Sequence, residues 1–377
     1  MQISVWEKES FYDHKDVIIT GSGFVGLWSA YYLKQKYPRL RIAIIDRGVI
    51  PTGASTRNAG FACFGSLTEL ADDAIRMSEA GMLELVEMRY RGIKRIRKVF
   101  SKKQIEYKSS GGYELITRKD NESVESITEK IDWLNNALAD IIKDKPVFRL
   151  ADKKIDRFGF RHIDHLIENK LEGVLHSGKL CEELLRLVQS LGVTVLPATA
   201  MLAYENYGKQ IRIITNHKID LSCDQLLICT NGFAKELLPA LDVVPARGQV
   251  LVTAPIDGLK IKGAFHFDEG FYYFRNLGNR VLLGGARNKA FEEEHTSEMV
   301  TTEKIQQELE RYLSEVILPG IPYRVAYRWS GIMGLGSEKM PIVRELTPNV
   351  FCAVRMSGMG VALAPVIGEK VCKIMRG

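Results

Sequence analysis

Apolar positions change their spacing several times along the chain, and each change predicts an element. The run Val17-Ile18-Ile19 is too short for a helix and fits a strand buried on both faces. A helix is expected over residues 25–36, then a second buried strand over 41–45 that ends on Asp46. Helical periodicity returns over 68–101, and a short strand is expected over 113–116. Over 123–142, Ile127, Ile131, Leu134, Leu138 and Ile141 make a stripe at three- and four-residue spacing, a helix packing on a sheet. Residues 178–191 place Leu180, Leu184, Leu187 and Leu191 on one helical face, and Gly192 stops that helix. A strand over 193–196, a hairpin over 201–205 and 210–215 with Tyr207-Gly208 in its turn, and a buried strand over 225–229 follow. From 243 to 286 the pattern alternates, with strands over 249–253, 271–274 and 280–284, as in a half-buried antiparallel sheet. A helix over 302–313 and a strand over 323–329 come next. The chain closes with a strand over 350–354, a glycine turn at 358–360 and a helix over 365–375.

The turn after the first strand reads Gly21-Ser22-Gly23-Phe24-Val25-Gly26, a G-x-G-x-x-G fingerprint feeding a helix. Gly21 permits the tight turn, Gly23 lets the backbone approach a pyrophosphate, and Gly26 lets helix and strand pack closely. The helix N-terminus then offers N–H groups and a positive dipole end to phosphates. Asp46, twenty positions after Gly26 at the end of the second strand, is placed to accept both ribose hydroxyls. Strand, helix, strand and acid together predict a dinucleotide site, without saying which dinucleotide.

Composition narrows the class. Of 377 residues, 46% are hydrophobic and 26% charged, as in a soluble globular protein. Lys and Arg exceed Asp and Glu only slightly, 52 against 46, and the basic run over 91–103 reads as the solvated face of a helix. No nucleic-acid partner is therefore expected. Six cysteines without a C-x-x-C pair fit reduced, buried thiols, Cys63 among them. No apolar signal core opens the chain, and no run reaches the ~18 apolar residues of a membrane span, so a cytoplasmic protein is expected. His162 and His165 lack flanking cysteines and make a weak metal pair, so no metal is expected. No P-loop or G-x-S-x-G elbow occurs.

The segment Gly53-Ala54-Ser55-Thr56-Arg57-Asn58-Ala59-Gly60-Phe61 identifies the dinucleotide by resemblance. Together with Trp329-Ser330-Gly331 and the block over 357–365, it resembles the D-amino acid oxidase-like family of FAD enzymes. That resemblance implies FAD held by Gly21, Gly23, Phe24, Val25 and Gly26, by Asp46 and Arg47, and by the loop Ala54, Ser55, Arg57, Asn58, Ala59, Gly60 and Phe61. It adds Met201 at the adenine, the turn Thr230-Asn231-Gly232 closing over the cofactor, and Gly331. The terminal turn Gly358, Met359, Gly360, Val361 and Ala362 would aim a helix N-terminus at the pyrimidine edge of the flavin. Where some relatives attach flavin covalently this chain has Arg57-Asn58, and no cysteine stands in 334–340, so FAD is expected to be non-covalent.

The implied fold class is α/β, in an α+β two-domain arrangement. A Rossmann-like FAD-binding domain in three pieces, 1–108, 177–242 and 329–377, holds an inserted antiparallel-sheet substrate domain, 109–176 and 243–328. The implied reaction is oxidation of the C–N bond of a primary or secondary amine, amino-acid-like, by hydride transfer to flavin N5. Tyr272 and Arg275 are the expected catalytic pair. Two departures from the family stand out. Met333 and Gly358 occupy the positions where arginines would clamp a substrate carboxylate, leaving Arg355, Arg275 or Arg247 as substitutes. Leu282 stands where an oxygen-activating lysine is found, which favours a dehydrogenase over an oxidase. A same-fold FAD enzyme acting on a hydroxy acid or a modified tRNA nucleoside, an NAD(P)-linked dehydrogenase and a non-catalytic flavin-binding protein remain as alternatives. The expected partner is a small-molecule amine, and oligomeric state is left open.

Overall fold

The computed structural model describes residues 2–117, 120, 122–143, 146–217 and 219–375. The chain divides into two compact units: Met1–Thr56, Ser177–Ala246 and Ile332–Gly377 form the first, Arg57–His176 and Arg247–Gly331 the second.

The first unit is built on an eight-stranded sheet whose centre is parallel. Lys15–Thr20 pairs with Asp220–Ile228 on one side and Ile42–Ile45 on the other, both in parallel register, and Val350–Val354 adds to Asp220–Ile228. Thr194–Leu196 extends the far side, Ile342–Thr347 forms the opposite edge, and the Met201–Asn206/Ile211–Thr215 hairpin joins Asp220–Ile228. These strands are near-continuous apolar runs because both faces are buried: Ile18, Ile45, Leu226, Ile228 and Val350 are almost wholly inaccessible. Helix Phe24–Lys36 packs so closely on helix Gly360–Ile374 that a Cβ on Gly368 would stand 2.7 Å from the Trp28 backbone.

The second unit carries an eight-stranded sheet in the order Val325–Leu335, Val244–Thr253, Arg280–Gly285, Tyr272–Leu277, Ala264–Phe267, Gly112–Thr117, Ile163–Asn169, Phe148–Leu150. From Val244–Thr253 to Phe148–Leu150 its pairings are antiparallel except that Ala264–Phe267 runs parallel to Gly112–Thr117. One face holds an aromatic core in which Phe265 stacks on Phe274 and Phe267 on Tyr272 and Tyr312.

Several elements differ from the sequence expectation. The helical region over 68–101 is two helices, Leu67–Met77 and Glu79–Val99, broken at Ser78, whose φ of 74° and ψ of 156° no helix accommodates. The last helix starts at Gly360, so Pro365 lies inside it, although the residue before a proline usually avoids helical geometry. Strands Phe148–Leu150, Ile163–Asn169, Ala264–Phe267 and Ile342–Thr347 depart from that expectation; each is short or carries polar residues that hide its alternation. His165 belongs to one of these strands, and its Nδ1 lies 2.9 Å from Asp152 Oδ2. Among the described residues no helix is long and apolar enough to cross a membrane.

Candidate functional site

In the first unit the glycine fingerprint folds as its residue types dictate. Gly21 has φ +105°, and a Cβ there would stand 2.8 Å from the Cys229 carbonyl oxygen. At Gly26 a Cβ would come within 2.0 Å of Gly21 O, so helix and turn meet only with glycine present. Gly23 caps the helix Phe24–Lys36 without a side chain, and Ser55 Oγ accepts from Phe24 N–H at 2.8 Å. Asp46 Oδ2 accepts from Ser22 N–H and Ser22 Oγ–H, both at 2.7 Å, and Oδ1 accepts from Gly48 N–H at 2.8 Å. Arg47 lies over the Phe233 ring, 3.7 Å from its centroid. Met201 is buried at the start of its strand, its sulfur 3.6 Å from Thr20 Oγ1.

Two further turns belong to the same unit. Thr230-Asn231-Gly232 follows the central strand, with Asn231 at φ 47°, and its Oδ1 accepts from Met356 N–H at 3.1 Å. Ser357 and Gly358 both have positive φ, and the turn runs through Met359, which caps the helix beginning Gly360-Val361-Ala362 without a side-chain bond. Thr230 Oγ1 and Ser357 Oγ are buried without a hydrogen-bond partner among the described residues. A buried unpaired donor costs roughly 1–3 kcal/mol, a cost that a ligand acceptor at these turns would offset.

In the second unit the segment after Thr56 packs on the sheet face opposite the aromatic core. Asn58 Oδ1 accepts from Gly60 N–H at 2.8 Å and closes the turn. Arg57 donates from Nη1 to Ser330 O, Trp329 Nε1–H donates to Arg57 O at 2.9 Å, and a Cβ on Gly331 would press on Arg57 at 3.0 Å. Ala59 and Trp329 pack with Tyr273, Val250, Val252 and Leu282, and the Phe61 ring stands edge-on to Tyr273 and His266. Tyr273 lies over Gly284, where a Cβ would stand 2.5 Å from the ring, and burial pushes its hydroxyl up to about 12.

Both expected catalytic residues are engaged with other protein groups. Tyr272 points into the aromatic core, donating to Glu308 Oε1 at 2.8 Å; alternation along the strand puts Tyr273, not Tyr272, on the face with Ala59 and Phe61. Arg275 shares that face but is buried. Its Nη1 donates to the carbonyls of Gly60 at 2.9 Å, Leu175 at 2.8 Å and Ala59 at 3.2 Å, so it clamps backbone. Burial lowers its pKa to about 10. Arg355 is engaged by Asp242 and Met340 O, and Arg247 by both oxygens of Glu294. Tyr273 was missed because two tyrosines in a row leave the phase of a strand ambiguous.

The DAO family, described as FAD dependent oxidoreductase, matches residues 16–374. The chain belongs to that family. A probable oxidoreductase, OrdL, of Haemophilus influenzae is 21% identical, over 97% of this chain and 84% of the relative. The fold is shared with L-proline dehydrogenase from P. horikoshii, at TM-score 0.76 and 18% identity over 96% of this chain and 93% of that one. Glycine oxidase from Geobacillus kaustophilus matches equally, at TM-score 0.76 and 18% identity over 96% and 94%. This DAO-family chain is therefore an FAD-dependent oxidoreductase with the two-domain fold of its relatives. The helix N-termini that begin on glycines, the glycine cradle and the unpaired buried hydroxyls fit an FAD pyrophosphate and flavin.

Proposed function

We propose that this enzyme oxidises the C–N bond of a primary or secondary amine, amino-acid-like, with FAD held non-covalently. In this reading the first unit is the cofactor domain and the second the substrate domain. Gly21, Gly23 and Gly26 approach the pyrophosphate, Asp46 the ribose, and the turns at Thr230 and Ser357 supply hydroxyls. Bound FAD supplies the acceptor for the two electrons and the hydrogen that leave carbon. The protein's part is to bind, orient and exclude water.

One observation carries the reading: the face formed by Ala59, Phe61, Val250, Tyr273, Leu282 and Trp329 in the second unit. It is an apolar wall with one phenol hydroxyl. An unpaired ammonium is costly to bury there, so the wall selects the neutral amine, which is the form that releases hydride from its α-carbon. Tyr273, kept protonated by burial, donates a hydrogen bond to orient the substrate. The similar proteins named for L-proline and glycine support an amine substrate.

The test is anaerobic mixing of the yellow holoenzyme with matched series: amines, their α-carboxylated counterparts and the corresponding hydroxy acids. Bleaching by amines or amino acids is expected. Bleaching by hydroxy acids alone would sink the proposal, as would flavin that remains attached after denaturation in the case of its non-covalent part.

A further inference from the structure

Behind the Phe61–Ala62 strand, within the second unit, lies a small cavity lined by Ser66, Glu114, Asn169, Glu172 and His266. Register places Glu114, His266 and Tyr273 in one row across three neighbouring strands, so His266 connects the cavity to the face described above. Its ring meets Phe61 edge-on at 5.0 Å. Two polar atoms there have no partner among the described residues: His266 Nε2 and Asn169 Nδ2, on side chains that are 8% and 3% exposed.

The carboxyls around them are seated by design of the backbone. Glu172 Oε1 accepts from Phe64 N–H at 2.8 Å, while Oε2 lies 1.9 Å from where a Cβ on Gly112 would stand, so the carboxyl takes this position beside a glycine. Glu114 is held by Ser66 Oγ–H at 2.9 Å and Thr68 N–H at 3.1 Å. A water is the ligand whose bonding fits: it accepts from Asn169 Nδ2–H and from a protonated Glu172, and donates to His266 Nε2.

We propose that this cavity is a proton-binding site, in which one water joins Asn169, Glu172 and His266, and that the proton it holds on Glu172 keeps the Phe61–Gly65 segment in place. Burial raises Glu172 to about 8 and Glu114 to about 6, and lowers His266 to about 4. At neutral pH the site therefore holds a neutral histidine and one protonated acid. Other titratable groups face it from every side: Tyr113 in its lining, Glu69 from the Leu67–Met77 helix, Arg89 from Glu79–Val99, and Cys63 and Tyr107 from the flanking segments. Losing the Glu172 proton to solvent leaves a carboxylate that is buried and faces the like charge of Glu69, and both costs are relieved when the segment covering it opens.

The test is infrared titration of the holoenzyme, labelled with ¹³C at its glutamate carboxyls, from about pH 6 to about pH 10. A protonated-carboxyl band persisting at neutral pH and lost near pH 8 is expected, and its absence at neutral pH would overturn the proposal. Glu172→Gln should remove that band. Its survival would assign the proton elsewhere and likewise overturn the site. Should Glu172→Gln not fold, Glu114→Gln decides, since the neutral-pH band must survive it. Hydrogen exchange gives an independent reading: protection of the Phe64 amide should fall through the same midpoint in the unmodified enzyme. Constant protection would remove the claimed effect on the segment.

Discussion

Successive residues on a strand face opposite sides of a sheet, so Tyr272 and Tyr273 have unrelated tasks. Tyr272→Phe deletes the hydrogen bond to Glu308 and should cost about 1 kcal/mol of stability with kcat/KM unchanged. Tyr273→Phe should leave stability nearly unaltered and lower kcat/KM for the amine by roughly 10–100-fold, the worth of one well-placed hydrogen bond. Thermal denaturation beside dye-coupled kinetics of both variants checks the pair, and equal kinetic losses would refute the assignment. Arg275 is a different case, because its Nη1 serves three carbonyls at once. Arg275→Met should destabilise by about 2–4 kcal/mol in urea unfolding, since buried acceptors lose their donor. Met333 and Gly358, where the family resemblance expects arginines, come together in the first unit: a Cβ on Gly358 would stand 3.4 Å from Met333 Sδ. Met333→Arg should therefore raise the preference for a carboxylated amine over its uncarboxylated match by about tenfold, read from the ratio of flavin-reduction rates. An unchanged ratio would show that the carboxylate, where present, binds elsewhere.

Among the elements, the helix break at Ser78 has a measurable cost. Its φ and ψ lie where essentially only glycine is comfortable, while its Oγ accepts from Gly81 N–H at 3.3 Å to cap the helix Glu79–Val99. Relief of roughly 1–3 kcal/mol of strain outweighs the few tenths lost when a cap becomes glycine. Ser78→Gly should thus raise the unfolding midpoint, whereas Ser78→Ala should lower it. This break shows what kind of information the sequence withholds. Periodicity over 68–101 is continuous, and nothing local announces a positive φ at a serine. The strands of the first unit were legible because burial on both faces writes an unbroken apolar run, as in Val17-Ile18-Ile19. Strand Ile163–Asn169 was not, because polar Asp164, His165 and Glu168 interrupt its pattern, and His165 and Glu168 are matched only by Asp152 and Arg149 on a preceding segment. The glycine turns of the first unit were readable for a related reason. A glycine demanded by close backbone approach leaves a mark at fixed spacing, but a side chain chosen by strand phase does not.

At the scale of the whole molecule, each unit assembles from segments far apart in the chain, and the buried charges of the second unit come from both of its segments. Glu114 and Glu172 are 58 positions apart and His266 lies further still, so no motif could reveal their shared cavity. Their consequence is a pH dependence whose sign follows from linkage. Glu172 and Glu114 bind their protons more tightly when folded, so the stability tied to each is full below its ordinary value of 4.5. That stability is lost as pH rises through about 8 and about 6 respectively. His266 acts oppositely: its folded value of about 4 lies below the ordinary 6.5, so stability is gained between those limits. Below pH 6.5 the histidine therefore offsets one carboxyl. Between 6.5 and 8 Glu172 alone remains of the three, and the unfolding free energy should fall by about 2 kcal/mol at ~1.4 kcal/mol per pH unit. Urea unfolding at closely spaced pH values, followed by a probe in the second unit, measures that slope. Glu172→Gln should flatten it in this window, and between about 4.5 and about 6 the opposing slopes of Glu114 and His266 should then cancel. A slope unaffected by the substitution would mean that the falling stability belongs to another group.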